Sequence, residues 1–193
     1  MPVRIAVGVL AASALASAYA APVAYEVDAD HTYPSFAADH SGGLSKWRGK
    51  FNTTSGRIVL DREAKTGSVE ITVETASIDF GLDRMNTRAQ AADLFDVEKY
   101  PKATYRGTLA KFRHGVPTEV HGTLTLHGVT KPVNLAIRSF LCKPDLRKQR
   151  ERCGADAAAD INRGEFGIRW GESLGDNLAV KLEIQVEALR AAP

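Results

Sequence analysis

The sequence predicts an all-β domain, an antiparallel barrel or sandwich. Three observations predict it. Apolar and polar side chains alternate through run after run, the period of a strand with one dry face and one wet face. Turn signals punctuate these runs: Ser41-Gly42-Gly43, Lys65-Thr66-Gly67, His114-Gly115, His127-Gly128 and Gly175-Asp176-Asn177. The chain has 193 residues, enough for one domain with a substantial core.

The first segment stands apart from that domain. Arg4 is the only charge ahead of an apolar and small-residue run from Ile5 to Ala16, and Ala18-Tyr19-Ala20 has the small-x-small form of a cleavage site. Residues 1–20 therefore read as a signal peptide removed after Ala20. The run falls short of the ~20 apolar residues that span a bilayer. Residues 21–193 would then be a single mature domain of the bacterial periplasm. Cleavage removes Arg4 from the 25 Lys and Arg that face 23 Asp and Glu, lowering the formal charge from +2 to about +1. So balanced a charge gives no argument for nucleic acid as a partner.

The domain's elements follow in order. Strands are expected at 25–28, 35–40, 46–51 and 57–61, then at 69–74, where Val-Glu-Ile-Thr-Val-Glu alternates cleanly. Residues 83–95 break the rhythm and are rich in helix formers. Met85, Ala89 and Ala92 share a helical face, and Asp83 is a suitable N-cap. They predict one short helix between Gly81 and the Tyr100-Pro101 break, covering the core or gating a barrel end. Strands resume at 103–112, 120–126, 133–137, 155–161 and 166–170. The clearest run is 180–188: Val180, Leu182, Ile184, Val186 and Ala188 fall on one face, with Lys181, Glu183, Gln185 and Glu187 on the other.

Cys142 and Cys153 are the only cysteines. In an oxidising compartment such a pair reads as a disulfide. The spacing fits neither a Cys-x-x-Cys redox motif nor a zinc knuckle. The segment between them, 143–152, carries five basic and two acidic residues. It reads as a solvated loop, with transient contact to an anionic membrane surface as the alternative.

Two histidines, His121 and His127, invite a metal or catalytic reading. On one extended strand, six residues at ~3.3 Å each hold them about 20 Å apart. Two ligands of one ion, each at ~2 Å, cannot be so far apart. Both read as solvent-facing side chains beside a turn. His31 and His40 lie near Asp28, Asp30 and Asp39, but Asp39 and His40 are neighbours on a strand and face opposite ways. Ser139 and Ser173 sit in no nucleophile elbow, and neither a phosphate loop nor His-Glu-x-x-His is present. No catalytic residue and no metal site is assigned.

Six segments in order resemble the YceI-like family of exported, lipocalin-like proteins that bind polyisoprenoids. They are Tyr25-Glu-Val-Asp28 with Asp30-His31, Phe36-Ala-Ala-Asp-His40, Trp47-Arg-Gly-Lys-Phe51, Asp93-Leu-Phe-Asp-Val-Glu-Lys-Tyr-Pro101, Gly122-Thr-Leu-Thr-Leu-His-Gly-Val-Thr-Lys-Pro-Val133 and Ile161-Asn-Arg-Gly-Glu-Phe-Gly167. The resemblance covers nearly the whole mature chain. There are departures. Arg88-Ala-Gln-Ala91 stands where the family usually has His-Leu-Arg-Ser, and Arg163-Gly-Glu-Phe-Gly167 where it often has Arg-Ser-Asp-Phe-Gly.

The resemblance implies an eight-stranded antiparallel lipocalin-like barrel with one or two short helices. It implies a binding or carrier protein whose elongated apolar cavity holds a polyisoprenoid lipid, such as an isoprenoid quinone or a prenyl phosphate, with no cofactor required. Alternation selects the lining: Phe36, Ala38, Ile71, Val73, Leu124, Leu126, Val133, Leu135, Ile137, Val180, Leu182 and Ile184. Trp47, Phe51, Phe95, Tyr105 and Phe166 are aromatic candidates; Arg163 and His40 are candidates for polar contacts to a head group. Two alternatives stay open. One is an enzyme acting on such a lipid through His31, Asp39 and His40; the other is a stress-response module with a filled core. An exposed barrel edge would support a homodimer.

Overall fold

The computed structural model describes residues 21–192. The signal-peptide reading of residues 1–20 lies outside the described residues. Strands β1 (Val23–Val27) and β2 (Tyr33–His40) run end to end; β3 (Ser45–Phe51) returns beside β2 and β4 (Thr54–Asp61) beside β1. β5 (Thr66–Glu74) pairs with β4, and its short continuation β6 (Ile78–Asp79) with β3. β7 (Lys102–Ala110) and β8 (Glu119–Leu126) follow, then β9 (Val129–Pro132) and β10 (Leu135–Asp145), both against β8. β11 (Arg150–Asn162) and β12 (Ala179–Arg190) complete the round, and β12 closes on β1 and β2. All pairings are antiparallel. The segments join into eight staves of one closed barrel. Closure pairs the staves around the ring and removes most of the edge an open sheet would expose.

Period-two alternation decides which side chains enter. Along β12, Val180 and Ala188 are buried while Lys181, Glu183 and Gln185 are exposed. Three expectations are corrected. The helix, α1 (Asp83–Ala89), is shorter than 83–95, and its N-cap is Leu82, with Asp83 the first helical residue. Ala92 is exposed beyond its end. Residues 166–170 are not a strand: a 3-10 turn, Arg163–Phe166, ends at Gly167 in the left-handed region (φ 82°). The segment 143–152 is mostly not a loop, because β10 and β11 pair out to Asp145 and Arg150, leaving a tight tip.

The barrel has two dissimilar ends. At the base, Tyr25, Leu60, Cys153 and Ala188 form a buried cluster, with Pro117 also fully buried. Cys142 and Cys153 are register partners joined by a disulfide, with Cα atoms 4.0 Å apart. Arg152 donates to Asp28 (2.6 Å), Asp145 (2.9 Å) and Glu187 (3.0 Å). Tyr25 donates to Glu151 at 2.7 Å, and Arg62 donates to the same carboxylate at 3.0 Å. The other end is built from the 41–44 turn, α1, the His127-Gly128 turn and the 163–178 connection. Beyond Ile137, whose N–H still reaches the Thr118 carbonyl at 2.9 Å, β10 pairs only with β11 among the described residues. That free edge carries Lys143 and Pro144, which disfavour edge-to-edge pairing.

Candidate functional site: the bore and its mouth

Small side chains make the barrel hollow. On β11, Cys153, Ala155 and Ala157 face inward, and Ala38, Ala103 and Ala188 do so elsewhere. A wall of methyl groups cannot reach the opposite wall, and the bore keeps a cavity of about 320 Å³. That is within the size of small-molecule sites, ~300–1,000 Å³. Branched residues of β5, β8, β10 and β12 line the rest.

One polar group crosses the interior. Tyr105 donates to the Val133 carbonyl at 2.9 Å, and burial pushes its phenol up to about 12, so no charge enters the bore. Gly122 makes room for it: a Cβ there would lie 2.6 Å from the Tyr105 hydroxyl.

Towards the mouth the lining turns aromatic. His40 stacks on Trp47 (4.3 Å), Trp47 meets Phe80 (6.0 Å), Phe80 meets Phe36 (5.5 Å), Phe36 meets Phe51 (5.8 Å) and Phe51 meets Phe95 (5.7 Å). Edge and tilted contacts of this kind are favoured by the ring quadrupoles. Gly49 lets Phe36 lie against β3, since a Cβ there would sit 2.7 Å from its ring.

The polar lining collects at the same end: Asp39, His40, Arg88, Arg163 and Asp176. Asp39 accepts from Lys46 (2.7 Å) and from the Asn177 N–H (3.0 Å), and the Lys46 hydrogen bond above all holds it below the usual carboxylate range. Asp176 accepts from the Gly42 N–H at 3.1 Å. Arg88 is forked on Asp93. Arg163 differs. It is half-buried, donates to the Ile168 carbonyl at 3.0 Å, and burial lowers its pKa despite the attraction of Asp176, Glu172 and Asp39. Lys46 holds Asp39 and Arg169 holds Glu172, so neither acid closes on it. The guanidinium therefore keeps donors to spare beside the bore.

Of the expected lining residues, all but one border the cavity, His40 and Arg163 included. Phe166 does not. It is 1% exposed, packed in the wall's core with Ile168. Its carbonyl accepts from His127 Nδ1 at 3.1 Å. His127 itself is not solvent-facing, as the turn folds it against Tyr100 at 4.4 Å. His121 is exposed and meets Glu119 at 2.7 Å. The acid–base candidates do not converge: His31 pairs with Asp28 (3.0 Å), Asp39 with Lys46, and His40 lies on Trp47.

Several lining residues escaped the sequence reading. Val69 shares the alternation of Ile71 and Val73 and was legible there. Phe80, Arg88, Trp170 and Asp176 come from irregular or helical segments with no strand period to reveal them.

The YceI-like domain model matches residues 25–188, nearly all of the described chain. This chain belongs to the YceI-like family. A Pseudomonas aeruginosa relative described as a UPF0312 protein is 30% identical over 190 residues, covering 94% of this chain and 97% of its own. Protein YceI of Escherichia coli is 30% identical over 154 residues, covering 79% of each chain. Two solved structures share the fold. BcnA of Burkholderia cenocepacia has a TM-score of 0.66 at 21% identity, covering 84% of this chain and 99% of its own. A Saccharophagus degradans domain described as polyisoprenoid-binding has 0.62 at 18%, covering 88% and 99%.

Proposed function

We propose that this YceI-like protein is a periplasmic carrier that sequesters one long polyisoprenoid chain, an isoprenoid quinone or a prenyl phosphate. The observation that carries the reading is the bore of about 320 Å³, almost wholly apolar in its lining, with charged side chains only at one end. Each CH₂ moved from water into such a space gains ~0.8 kcal/mol. A tail of several isoprene units therefore has ample driving force after ordering costs, without any polar contact. The tail would fill the bore between the β11 alanines and the branched residues of β5 across the barrel. The head group would lie at the aromatic end, where Arg163 has donors for a quinone carbonyl or a phosphate oxygen. The Cys142–Cys153 disulfide supports an oxidising compartment.

Organic extraction of gently purified mature protein, followed by mass spectrometry, tests this. One prenyl lipid per chain is expected. Repeatedly empty extracts, together with no uptake of an added prenyl quinone or prenyl phosphate, would sink the reading.

A further inference from the structure

The bore opens among side chains that soluble surfaces seldom group. Leu44 is 81% exposed, Leu174 69%, Leu82 45% and Trp170 41%. Each stands on a different part of the rim: the turn between β2 and β3, the 3-10 turn Glu172–Leu174, the residue before α1, and the connection after β11. The parts are tied together. The Gly42 N–H reaches Asp176 beside Leu174 at 3.1 Å, and Arg88 of α1 lies 5.2 Å over the Trp170 ring. Their neighbours His40, Trp47, Met85 and Asp176 line the cavity, as does Trp170 itself. The apolar rim thus adjoins the bore at the end where its few polar lining groups collect.

Charge separates this end from the other. Around the rim, ionic groups balance: Lys46 pairs with Asp39, Arg88 with Asp93 and Arg169 with Glu172, and Arg84 and Arg163 are matched in number by Asp83 and Asp176. The base carries exposed Lys143, Arg147 and Lys148 about the hairpin tip, with Leu146 88% exposed. An attraction from that basic tip to an anionic surface would turn the mouth away from the lipid.

We infer that the rim of Leu44, Leu82, Trp170 and Leu174 seats in the headgroup layer of a phospholipid bilayer, where the ligand enters and leaves. The inference rests on the reading that the bore holds a lipid. A prenyl chain crossing open water would re-expose every methylene it had buried. A rim in contact with acyl chains removes that gap. Leucines on short turns can enter the boundary to a depth of ~5–10 Å. An indole at the edge suits the same layer. A rim without net charge draws no strength from anionic lipid, so salt should matter little.

The test is flotation of the full mature chain on vesicles of phosphatidylcholine alone or mixed with phosphatidylglycerol, at low and high salt. The chain should float on both in either salt. L44S/L174S should cut partitioning at least about tenfold, and K143E/K148E should not change it. In W47F, Trp170 is the one remaining tryptophan, and brominated acyl chains should quench it. Docking through the rim is overturned by absence of flotation on either vesicle, by an unquenched Trp170, or by binding confined to anionic vesicles and abolished by salt and K143E/K148E. Lipid extraction of the same samples separates the two readings. A chain that holds prenyl lipid yet never floats sinks the docking alone; a chain that floats but is empty and takes up no added prenyl quinone or prenyl phosphate upholds the docking and sinks the ligand reading.

Discussion

The two ends of the barrel are built by opposite means. At the base, covalent and ionic ties hold regular strands together: the Cys142–Cys153 bond, the Arg152 fork on three carboxylates, and the Tyr25–Glu151–Arg62 chain. At the mouth, turns and 3-10 segments rest on local ion pairs, single hydrogen bonds and ring contacts, and Leu44, Leu82, Trp170 and Leu174 face water around the opening. A closed, stapled base can bear the cost of an end left open and greasy. Stability and ligand access are thus assigned to separate parts of one sheet, and changes at one end should leave the property of the other intact.

The largest expected effect comes from filling the space between the ends. Ala157 is buried on the alanine wall. Ala157→Phe should abolish lipid carriage, read as loss of co-purified lipid with far-UV circular dichroism unchanged. Full lipid occupancy in that variant would show that the bore is not where the ligand lies.

Next is the staple. Cys142→Ser with Cys153→Ser should cost about 3 kcal/mol by the chain-entropy estimate for so short a loop. For a domain of this size that lowers the melting temperature by roughly 6–12 °C. Lipid content at room temperature should stay as it was. A loss of lipid with little change in melting would break the division of labour.

Arg163 sharpens the comparison from the mouth. Arg163→Met removes a charged donor beside the bore, worth about 1.5 kcal/mol to a hydrogen-bonded head group. Titration should show prenyl quinone or prenyl phosphate binding weakened about tenfold, with a headless prenyl hydrocarbon unaffected and Arg163→Lys partly restoring affinity. Equal weakening of the hydrocarbon would mean that Arg163 only shapes the wall.

The smallest effect is a pH dependence confined to the base. Burial alone would raise Asp28, but hydrogen bonds from Arg152, His31 and the Asp30 N–H together hold it below its ordinary value. Asp145 is also held low, first by the Lys148 N–H and then by Arg152. A carboxyl depressed in the folded state stabilises above its unfolded pKa, and that contribution is lost as pH falls through the folded value. The stability gap between the parent chain and Arg152→Gln should therefore be widest near neutrality and narrow below the ordinary carboxylate range. Urea midpoints at neutral and acid pH would show it; a gap that widens on acidification would contradict the arrangement.

Much of this was legible in the residues, for a physical reason. A barrel stave writes its two faces into the chain as alternation, so β12 and β5 disclosed their bore-facing side chains directly. The alanine wall was harder. Along 155–161, Ala158 and Ala159 follow Ala155 and Ala157, so hydrophobicity does not distinguish in from out. The mouth was least legible, because Trp170, Asp176 and Leu174 sit on backbone without a period, and only tertiary contacts bring them to the cavity. His127 was misread for a related reason: its strand parity pointed to water, but the turn at Gly128, where a Cβ would sit 2.6 Å from Tyr100, folds the ring inward. The 143–152 segment was misread because its charges suggested solvent, whereas Arg152 spends its own on three acids at the barrel wall.

The methyl-lined face of β11 has one further consequence. Ala155 and Ala157 offer no notch that would lock onto the branch methyls of a prenyl chain at fixed intervals. On the carrier reading proposed above, a tail would slide along such a surface without losing fit, so the barrel would measure how much greasy length it can swallow and be indifferent to where the branches fall. Homologous lipids differing by one isoprene unit would compete as near equals, with the surplus trailing out past the rings at the opening.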